Sequence, residues 1–457
     1  MRRSDAWAEG AAMALERAVT KEFVRWHNEP GHRALLVDGA RQVGKTYAIR
    51  EFGRSCYESC IEINFIETPS AKAIFEGDLD ASTIVTNLSA YSLGRMEPGK
   101  TLVFLDEIQE CPRARTAIKF LVDDGRFDYA ESGSLLGVST LPVPSYPVGY
   151  ETHIRMYPLT FAEFCQALGV AREALAAAGE AISRKEPVPQ AIHERLVRLF
   201  RIYLAIGGMP RAVESFADTS DVAAALEAQI DILALYRQDI AKYAGNAVHV
   251  QGIFDSIPSE LDKKNKRFRL SSVRRSARME RYENDFLWVA DAGCALPCYN
   301  VEAPLAPLAL NEKRSVFKLY ANDVGLLAAS EEDPVQFSLI NGDPGINWGS
   351  VLENAVAQEL AAKGYPLRYF DRSNVSEVDF LVQTADGVVP IEVKSGADYH
   401  RHRALDNLMA KGEWRLDKAV VLCRGNVEQQ GKILYVPWYA TAFMPEHKSQ
   451  ESMKVSW

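Results

Sequence analysis

The sequence has 457 residues, of which 47% are hydrophobic and 25% are charged, and its formal net charge is −9. This composition is typical of globular proteins, and the length predicts roughly three domains. The acidic balance argues against a protein whose whole surface binds nucleic acid, although it allows a local basic patch. The seven cysteines are scattered and odd in number, so they do not suggest a disulfide framework. Neither they nor the eight histidines show the spacing of a zinc site.

No window of the sequence approaches the run of about 20 apolar residues that a membrane span requires. The residues that follow Met1 lack the apolar core of a signal peptide. We therefore expect a cytoplasmic protein without a membrane partner.

A candidate phosphate-binding loop lies near the start of the chain. Residues 39–46 read G-x-x-x-x-G-K-T between an apolar strand and a helix that begins at Lys45. In such a loop, backbone N–H groups surround the β- and γ-phosphates, the lysine adds positive charge and the threonine hydroxyl binds Mg²⁺. The residues predicted to bind nucleotide are Gly39, Ala40, Arg41, Gln42, Val43, Gly44, Lys45 and Thr46. A glycine-rich turn without a ligand is the alternative, and the strand–loop–helix context disfavours it.

Two acids follow a second apolar strand, residues 101–105. A buried parallel strand of this kind delivers carboxylates to the carboxyl edge of a sheet. We expect Asp106 to hold Mg²⁺, mainly through water, and Glu107 to polarise the water that attacks the γ-phosphate. The next predicted strand ends at Ser132 and Ser134, whose hydroxyls would reach the γ-phosphate or that water. A plain capping role explains these serines as well.

Further motifs follow in a fixed order along the chain. They are Leu105-Asp106-Glu107, Ser132-Gly133-Ser134-Leu135-Leu136, Tyr157-Pro158-Leu159-Thr160-Phe161-Ala162-Glu163-Phe164 and Gly207-Gly208-Met209-Pro210. With the phosphate loop, they resemble the prokaryotic AAA-type ATPases of the AAA_14 family, often fused to a DUF4143 domain. The resemblance implies ATP and Mg²⁺, a five-stranded core, homo-oligomers and a helical lid with Pro210 near the adenine. It identifies no arginine finger, for which Arg155, Arg211 and Arg237 are candidates.

Basic residues concentrate in segment 263–281 of this acidic chain. Residues 269–293 suggest a helix–turn–helix with a wing, and DUF4143 relatives look similar here. Such a module would place Arg274, Arg275 and Arg278 on DNA phosphates or in a major groove. The alternative is a solvated basic face, or a surface that meets the acidic ATPase core.

The last third of the sequence carries a second set of candidate site residues. A predicted helix over 348–363 places Glu353 on or beside its buried face. A strand over 377–382 and a turn at 384–387 predict a hairpin that brings Asp379 close to Glu392 and Lys394.

The pattern Glu353, Asp379, Glu392-Val393-Lys394 resembles the PD-(D/E)xK nuclease fold. The resemblance implies Mg²⁺ bound by Asp379 and Glu392, with Glu353 completing the shell, and Lys394 orienting or activating water. The alternative is structural: Lys394 neutralises two acids on a sheet face.

The expected fold is α/β, with the following parts: an AAA-type P-loop core over 1–158, a helical lid over 159–246, a winged-helix-like basic segment over 247–312, a nuclease-like domain over 313–445 and a polar tail over 446–457. The expected function is a Mg²⁺-dependent ATPase that controls a DNA-acting C-terminal domain. Two alternatives stay open. One is an ATP-dependent switch with an inert nuclease-like fold and a protein partner, and the other is a DNA-binding regulator.

Overall fold

The computed structural model describes residues 15–92, 96–134, 145–263, 265–268, 279–331, 335–343, 347–372 and 376–447, with only the backbone of 279–283. The chain divides into two compact units. The first comprises Arg17–Tyr157 and Asp291–Gly293, and the second comprises Met1–Glu16, Pro158–Ala290 and Cys294–Trp457. Among the described residues, no helix is long and apolar enough to cross a membrane.

The first unit is built on a sheet of five parallel strands. They are β1 Ala34–Gly39, β2 Ser59–Asn64, β3 Thr101–Asp106, β4 Asp128–Ser134 and β5 Glu151–Met156, in the order β2-β3-β4-β1-β5. Every residue of β1 and β3 is buried, as expected for central strands covered on both faces. The parallel arrangement brings the carboxyl ends of β1, β3 and β4 to one edge. The predicted α/β fold with a P-loop-type sheet is confirmed.

Helices accompany these strands. They are α1 Thr20–His27, α2 Lys45–Cys56, α3 Ala81–Ser92 and α4 Pro112–Asp124, with 3₁₀ turns at Pro69–Phe75 and Ile108–Glu110. The sequence suggests a helix from residue 5 to 29, of which only residues 20–27 are helical in the described part. Residues 5–14 lie outside the described residues.

Helices dominate the first part of the second unit. They are α5 Phe161–Ala167, α6 Arg172–Arg184, α7 Gln190–Ile206, α8 Pro210–Thr219, α9 Val222–Tyr243, α10 Ala247–Leu261 and α11 Met279–Asp291, the last residue of which belongs to the first unit. The sequence pattern over 161–243 is helical with one break, at 207–211, and the structure is helical there as well, although the helices are separated at four places. A capping box formed by Thr160 and Glu163 begins α5.

The Gly207-Gly208 turn between α7 and α8 is buried against backbone. Leu159 donates its N–H to the carbonyl of Gly208 at 2.6 Å, and the N–H of Gly208 donates to Oδ2 of Asp323 at 2.6 Å. A Cβ atom on Gly208 would lie 2.1 Å from the carbonyl oxygen of Leu159. Close packing within the second unit therefore requires this glycine.

Two sheets and further helices complete the second unit. One sheet has the order β7-β6-β8-β9, formed by β6 Ala295–Val301, β7 Glu312–Ala321, β8 Arg368–Arg372 and β9 Ser376–Val378. The other has the order β10-β11-β12-β14-β13, formed by β10 Phe380–Thr384, β11 Gly387–Val393, β12 Ala419–Cys423, β13 Glu428–Gln430 and β14 Ile433–Pro437. The helices are α12 Val324–Ala329, α13 Gln336–Asn341, α14 Trp348–Ala362 and α15 Arg403–Met409, with 3₁₀ turns at Leu308–Asn311, Gly412–Trp414 and Trp438–Phe443.

The prediction of one continuous strand over 377–382 is wrong. Residues 376–378 and 380–384 form separate strands, β9 and β10, which belong to different sheets, and Asp379 lies at the break. The predicted hairpin between β10 and β11 is confirmed, with Phe380 opposite Ile391. Asp379 therefore stands at the junction of two sheets.

The region predicted as a winged helix is only partly described, since residues 269–278 lie outside the described residues. The strands after α11, β6 and β7, form an antiparallel pair. They also share a sheet with β8 and β9. The predicted boundary between residues 312 and 313 falls within β7, after its first residue. The winged-helix assignment and the domain boundaries stay predictions.

Candidate nucleotide site and C-terminal acidic site

The loop after β1 has the backbone that a phosphate cradle requires. Gly44 precedes α2 with φ of 92°, in the left-handed region that favours glycine. A Cβ atom on Gly39 would lie 2.4 Å from the carbonyl oxygen of Met156 on neighbouring β5. Gln42 also adopts a positive φ, of 65°. The loop leads directly into the N-terminus of α2, and the helix dipole favours the binding of an anion at that end.

Lys45 lies over the loop. Its Nζ donates to the carbonyls of Gly39 at 3.1 Å and Ala40 at 2.9 Å, and the side chain is buried. Burial lowers the pKa of Lys45 to about 8, although Glu107 and Asp106 oppose this shift. The ammonium group is thus held where nucleotide phosphates would compensate its lost hydration.

Asp106 is the centre of a hydrogen-bond network at the end of β3. Thr46 Oγ1 lies 3.2 Å from both of its carboxylate oxygens. Asn64 Nδ2 donates to Oδ2 at 2.9 Å, and the Ser132 hydroxyl donates to Oδ1. Burial raises the pKa of Asp106, and the bonds from Ser132 and Thr46 oppose that shift. A threonine hydroxyl beside a carboxylate is an oxygen donor set that suits Mg²⁺.

Glu107 follows in a constrained conformation. Its φ of 55° lies in the left-handed region, which turns the chain sharply after the strand. Gln109 Nε2 donates to its carboxylate. Ser134 pairs in register with Gly39 on the adjoining strands β4 and β1. The structure therefore brings Lys45, Thr46, Asp106 and Ser134 to one sheet edge, with Glu107 next in the chain.

Asn64 is a partner of Asp106 that was not predicted from the sequence. The signal was available, because Asn64 ends β2 directly opposite Asp106 in the parallel register. A polar residue at the carboxyl end of an apolar strand lies at the same edge as the acids.

Each of the three arginine-finger candidates is in an ion pair. Arg155 Nε lies 3.2 Å from Oδ1 of Asp38 within the first unit. In the second unit, Arg211 pairs with Asp231 at 2.7 Å and Arg237 with Asp255 at 3.0 Å. These contacts therefore do not identify any of the three as the arginine finger.

The predicted C-terminal residues come together in the second unit. Asp379 Oδ2 accepts the backbone N–H of Val393 at 2.7 Å, and Lys394 Nζ donates to Oε1 of Glu392 at 2.7 Å. Burial raises the pKa of Asp379, and Glu353 and Glu392 raise it further. The structure therefore places Asp379 against the backbone of Val393, between Glu392 and Lys394 in the sequence.

Glu353 is already surrounded by donors. Lys266 Nζ donates to its Oε1, while Lys318 Nζ lies 3.5 Å from Oε2 and the Tyr320 hydroxyl donates to Oε2 at 3.2 Å. Burial alone would raise the pKa of Glu353, but Lys318 and Lys266 outweigh it and the net shift is downward.

The sequence does not predict that Lys318 and Lys266 belong to this site. Lys318 is fully buried on β7, forms an ion pair with Glu377 and lies 4.9 Å from the centroid of the Tyr369 ring. A lysine within the apolar run Val316-Phe317-Lys318-Leu319-Tyr320 was the available signal, since a buried charge requires a partner.

The fit to a metal ion differs among the three predicted ligands. Within the described ranges, no group of three or more His, Cys, Asp or Glu side chains is arranged to hold a metal ion. Oε2 of Glu392 is buried without a hydrogen-bond partner among the described residues, whereas both oxygens of Glu353 have partners. Asp379 and Glu392 therefore suit a cation, and Glu353 does not.

The described basic residues of segment 263–281 form ion pairs within the protein. Lys263 pairs with Glu260, Lys266 with Glu353, and Arg267 with Asp371. Arg274, Arg275 and Arg278 lie outside the described residues.

The parallel sheet, the loop before α2 and the acids after β3 define a P-loop nucleotide-binding domain of the AAA type. The family model for the AAA domain AAA_14 matches residues 31–165, and that for DUF4143, a domain of unknown function, matches residues 348–440. The chain thus combines an AAA_14 domain with a DUF4143 domain. A further domain of unknown function, DUF8612, matches residues 197–334, between them.

None of the curated proteins matches this chain. Among solved structures, it is similar to the ORC1 protein of Aeropyrum pernix in complex with DNA, at 12% identity, 72% coverage of this chain, 92% of that chain and a TM-score of 0.28. It is also similar to domain III of the replication initiation protein DnaA from Thermotoga maritima, at 12% identity, 49% coverage of this chain, 93% of that chain and a TM-score of 0.29. The similarity to Cdc6p from Pyrobaculum aerophilum is at 14% identity, 74% coverage of this chain, 97% of that chain and a TM-score of 0.25.

Proposed function

We propose that this protein is a cytoplasmic, Mg²⁺-dependent ATPase whose nucleotide state controls a DNA-acting, nuclease-like C-terminal domain. The observation that carries the ATPase is the convergence of Lys45, Thr46 and Asp106 on one edge of the parallel sheet. An AAA_14 domain in the same residues supports it. We also propose that the protein is a homo-oligomer.

In this mechanism, the loop N–H groups and Lys45 bind the β- and γ-phosphates of ATP. Thr46 and Asp106 would hold Mg²⁺, which neutralises charge on the phosphates when it is bound. Glu107 orients the attacking water and accepts its proton. Asn64 and Ser132 keep the carboxylate of Asp106 in place. The Ser134 hydroxyl, at the same sheet edge, would reach the γ-phosphate.

The substitution Lys45→Ala tests the nucleotide site. We expect it to remove ATP binding, because the only buried ammonium group that contacts the loop in the described residues is lost. Binding is measured by titration with a fluorescent ATP analogue, with Lys72→Ala as the matched control, since Lys72 is partly exposed and paired with Glu110 in the same unit. Tight binding retained in Lys45→Ala would contradict the placement of the phosphates.

For the C-terminal domain, the proposal is metal-dependent hydrolysis of a DNA phosphodiester. Asp379 and Glu392 would hold Mg²⁺, which would activate water and polarise the phosphate when bound. The ammonium group of Lys394 stabilises the negative charge that develops on the phosphate oxygens. Support comes from the unpartnered oxygen of buried Glu392 beside Lys394.

Incubation of the full chain with plasmid or single-stranded DNA and Mg²⁺ or Mn²⁺ tests this activity, with and without ATP. We expect nicking by the parent protein and none by Asp379→Ala. DNA binding should weaken steeply between low and moderate salt if basic residues contact phosphates. Equal nicking by both proteins, or none by either, would contradict the nuclease role. Affinity independent of salt would contradict the basic segment as a DNA contact.

A second function is favoured by the lysines of the acidic site. Lys266 and Lys318 pair with Glu353, and Lys394 pairs with Glu392, as in a purely structural network. The protein would then be an ATP-dependent switch that acts on a protein partner. For the switch, we expect the same rate of ATP turnover with and without DNA, and no cleavage of DNA.

A further inference from the structure

We propose that Lys318 is a built-in cation of the C-terminal acidic site, so that this site takes one divalent metal ion, at Asp379 and Glu392, and Glu353 positions Lys318 instead of binding metal. This inference rests on the proposed function, since it specifies the metal content of the same site. It also assigns the role of a fixed cation to Lys318, which lies outside the nuclease-like pattern, and a positioning role to Glu353.

Topology explains why an internal cation is needed. Four carboxylates converge from separate elements: Glu353 from α14, Glu377 from β9, Asp379 from the break before β10, and Glu392 from β11. Like charges in a poorly hydrated place repel strongly and are tolerated only when paired. A lysine among them therefore stabilises the folded site.

Lys318 is held in the interior of this cluster. It lies opposite Cys298 in the β6–β7 pair, and both side chains are fully buried. Its ammonium group forms an ion pair with Glu377 and lies 3.5 Å from Oε2 of Glu353. The ring of Tyr369, 4.9 Å away at its centroid, adds a cation–π contact. These contacts fix the positive charge between the two acids.

Both carboxylate oxygens of Glu353 already have partners, so neither is available to a metal ion. Lys266 and the Tyr320 hydroxyl engage it in addition to Lys318. A metal ion at this carboxylate would have to displace Lys266 or Lys318, and separating a largely buried lysine from its carboxylate is costly.

Asp379 and Glu392 differ from Glu353 in this respect. Oδ2 of Asp379 accepts a backbone N–H at 2.7 Å, and Glu392 keeps Oε2 buried without a hydrogen-bond partner among the described residues. The four carboxylates face three lysine ammonium groups, Lys266, Lys318 and Lys394. One net negative charge remains for a single divalent ion, whereas two ions would leave a large positive excess.

The test counts Mn²⁺ ions bound to the nucleotide-free full chain, from the electron paramagnetic resonance signal of free Mn²⁺. All chains carry Asp106→Asn, which silences the candidate nucleotide site. We expect one ion in this parent chain, at least tenfold weaker binding in Glu392→Gln, and less than a threefold change in Glu353→Gln. Lys318→Met, checked for fold by circular dichroism, should bind a second ion because Glu353 and Glu377 lose their common cation.

Two ions in the parent chain, or loss of binding in Glu353→Gln equal to that in Glu392→Gln, would overturn the role of Lys318. The Glu353→Gln comparison does not depend on the folding of Lys318→Met. Asp379-dependent cleavage of DNA with two ions bound would leave the nuclease proposal intact and overturn only this inference. The absence of any bound ion, with no cleavage, would overturn both.

Discussion

The side-chain amide of Asn64 donates a 2.9 Å hydrogen bond to Oδ2 of Asp106 across the adjoining strands β2 and β3. Oδ1 of Asn64 in turn accepts the N–H groups of Ile66 and Glu67 at 2.9 Å each. The amide is therefore fixed on both sides, and it orients the carboxylate that we assign to Mg²⁺. Such supporting residues contribute to metal sites through the ligand that they hold.

Asn64→Ala should lower the rate of ATP hydrolysis at least tenfold, since loss of a residue that orients a ligand typically costs about 10- to 100-fold. ATP binding without Mg²⁺ should change little, because the phosphate loop is untouched. Steady-state phosphate release and nucleotide titration measure the two effects. Asn87→Ala is the matched control, since Asn87 donates to the carbonyl of Ile74 in the same unit at 3.2 Å. An equal rate loss in both variants would point to destabilisation of the unit instead.

Glu107→Gln should separate ATP binding from hydrolysis. The amide keeps the size of the side chain but cannot accept a proton from water, so we expect kcat to fall by about 100-fold or more. The dissociation constant for MgATP should stay within a fewfold of the parent value. Glu110→Gln serves as control, because Glu110 is a neighbouring acid whose nearest cation, Lys72, is 3.8 Å away. Unchanged kcat in Glu107→Gln would remove Glu107 from the mechanism.

Glu359 should make stability depend on pH. Burial raises its pKa from 4.5 to about 7, and the carboxylate accepts the N–H of Phe161 at 2.6 Å. The folded state therefore binds more protons than the unfolded state between these pH values, so stability falls as pH rises from about 4.5 to about 7. Above about pH 7, the free energy of unfolding should be lower by about 3 kcal/mol than below pH 4.5, as far as Glu359 contributes to it.

Glu359→Gln should remove this decline, because the amide keeps an oxygen acceptor and carries no charge. Urea unfolding of the parent chain and the variant at pH 5, 6, 7 and 8 measures the difference, followed by far-UV circular dichroism. Glu180→Gln, at an exposed acid of α6, should leave the parent profile unchanged. Parallel profiles for the parent chain and Glu359→Gln would contradict titration of this buried acid.

Gly208→Ala should destabilise the second unit. Its new Cβ would lie 2.1 Å from the carbonyl oxygen and 2.7 Å from the backbone nitrogen of Leu159, and neither atom can move independently of the chain. Overpacking of this kind costs about 1–3 kcal/mol or more. Gly245→Ala is the matched control, since nothing lies within 4 Å of its added Cβ. Thermal unfolding should show a lower midpoint for Gly208→Ala only, and equal midpoints would contradict the close contact.

The sequence by itself determined the nucleotide-binding part. The phosphate loop is a contiguous pattern, and apolar strands that end in Asp106 and Ser134 predict the sheet edge because strand ends in a parallel sheet meet there. The hairpin that brings Asp379 and Glu392 together was equally local, since period two and a short turn set its register.

Only the tertiary structure decided which partners complete these sites. Lys318, Lys266 and Glu353 are far apart in the chain, and their ion pairs arise from the packing of β7 and α14, which no local pattern encodes. The same holds for the break at Asp379, which occurs because β9 and β10 pair in different sheets. Charge pairing in a buried site depends on distances in three dimensions, whereas a sequence motif records only residue type and spacing.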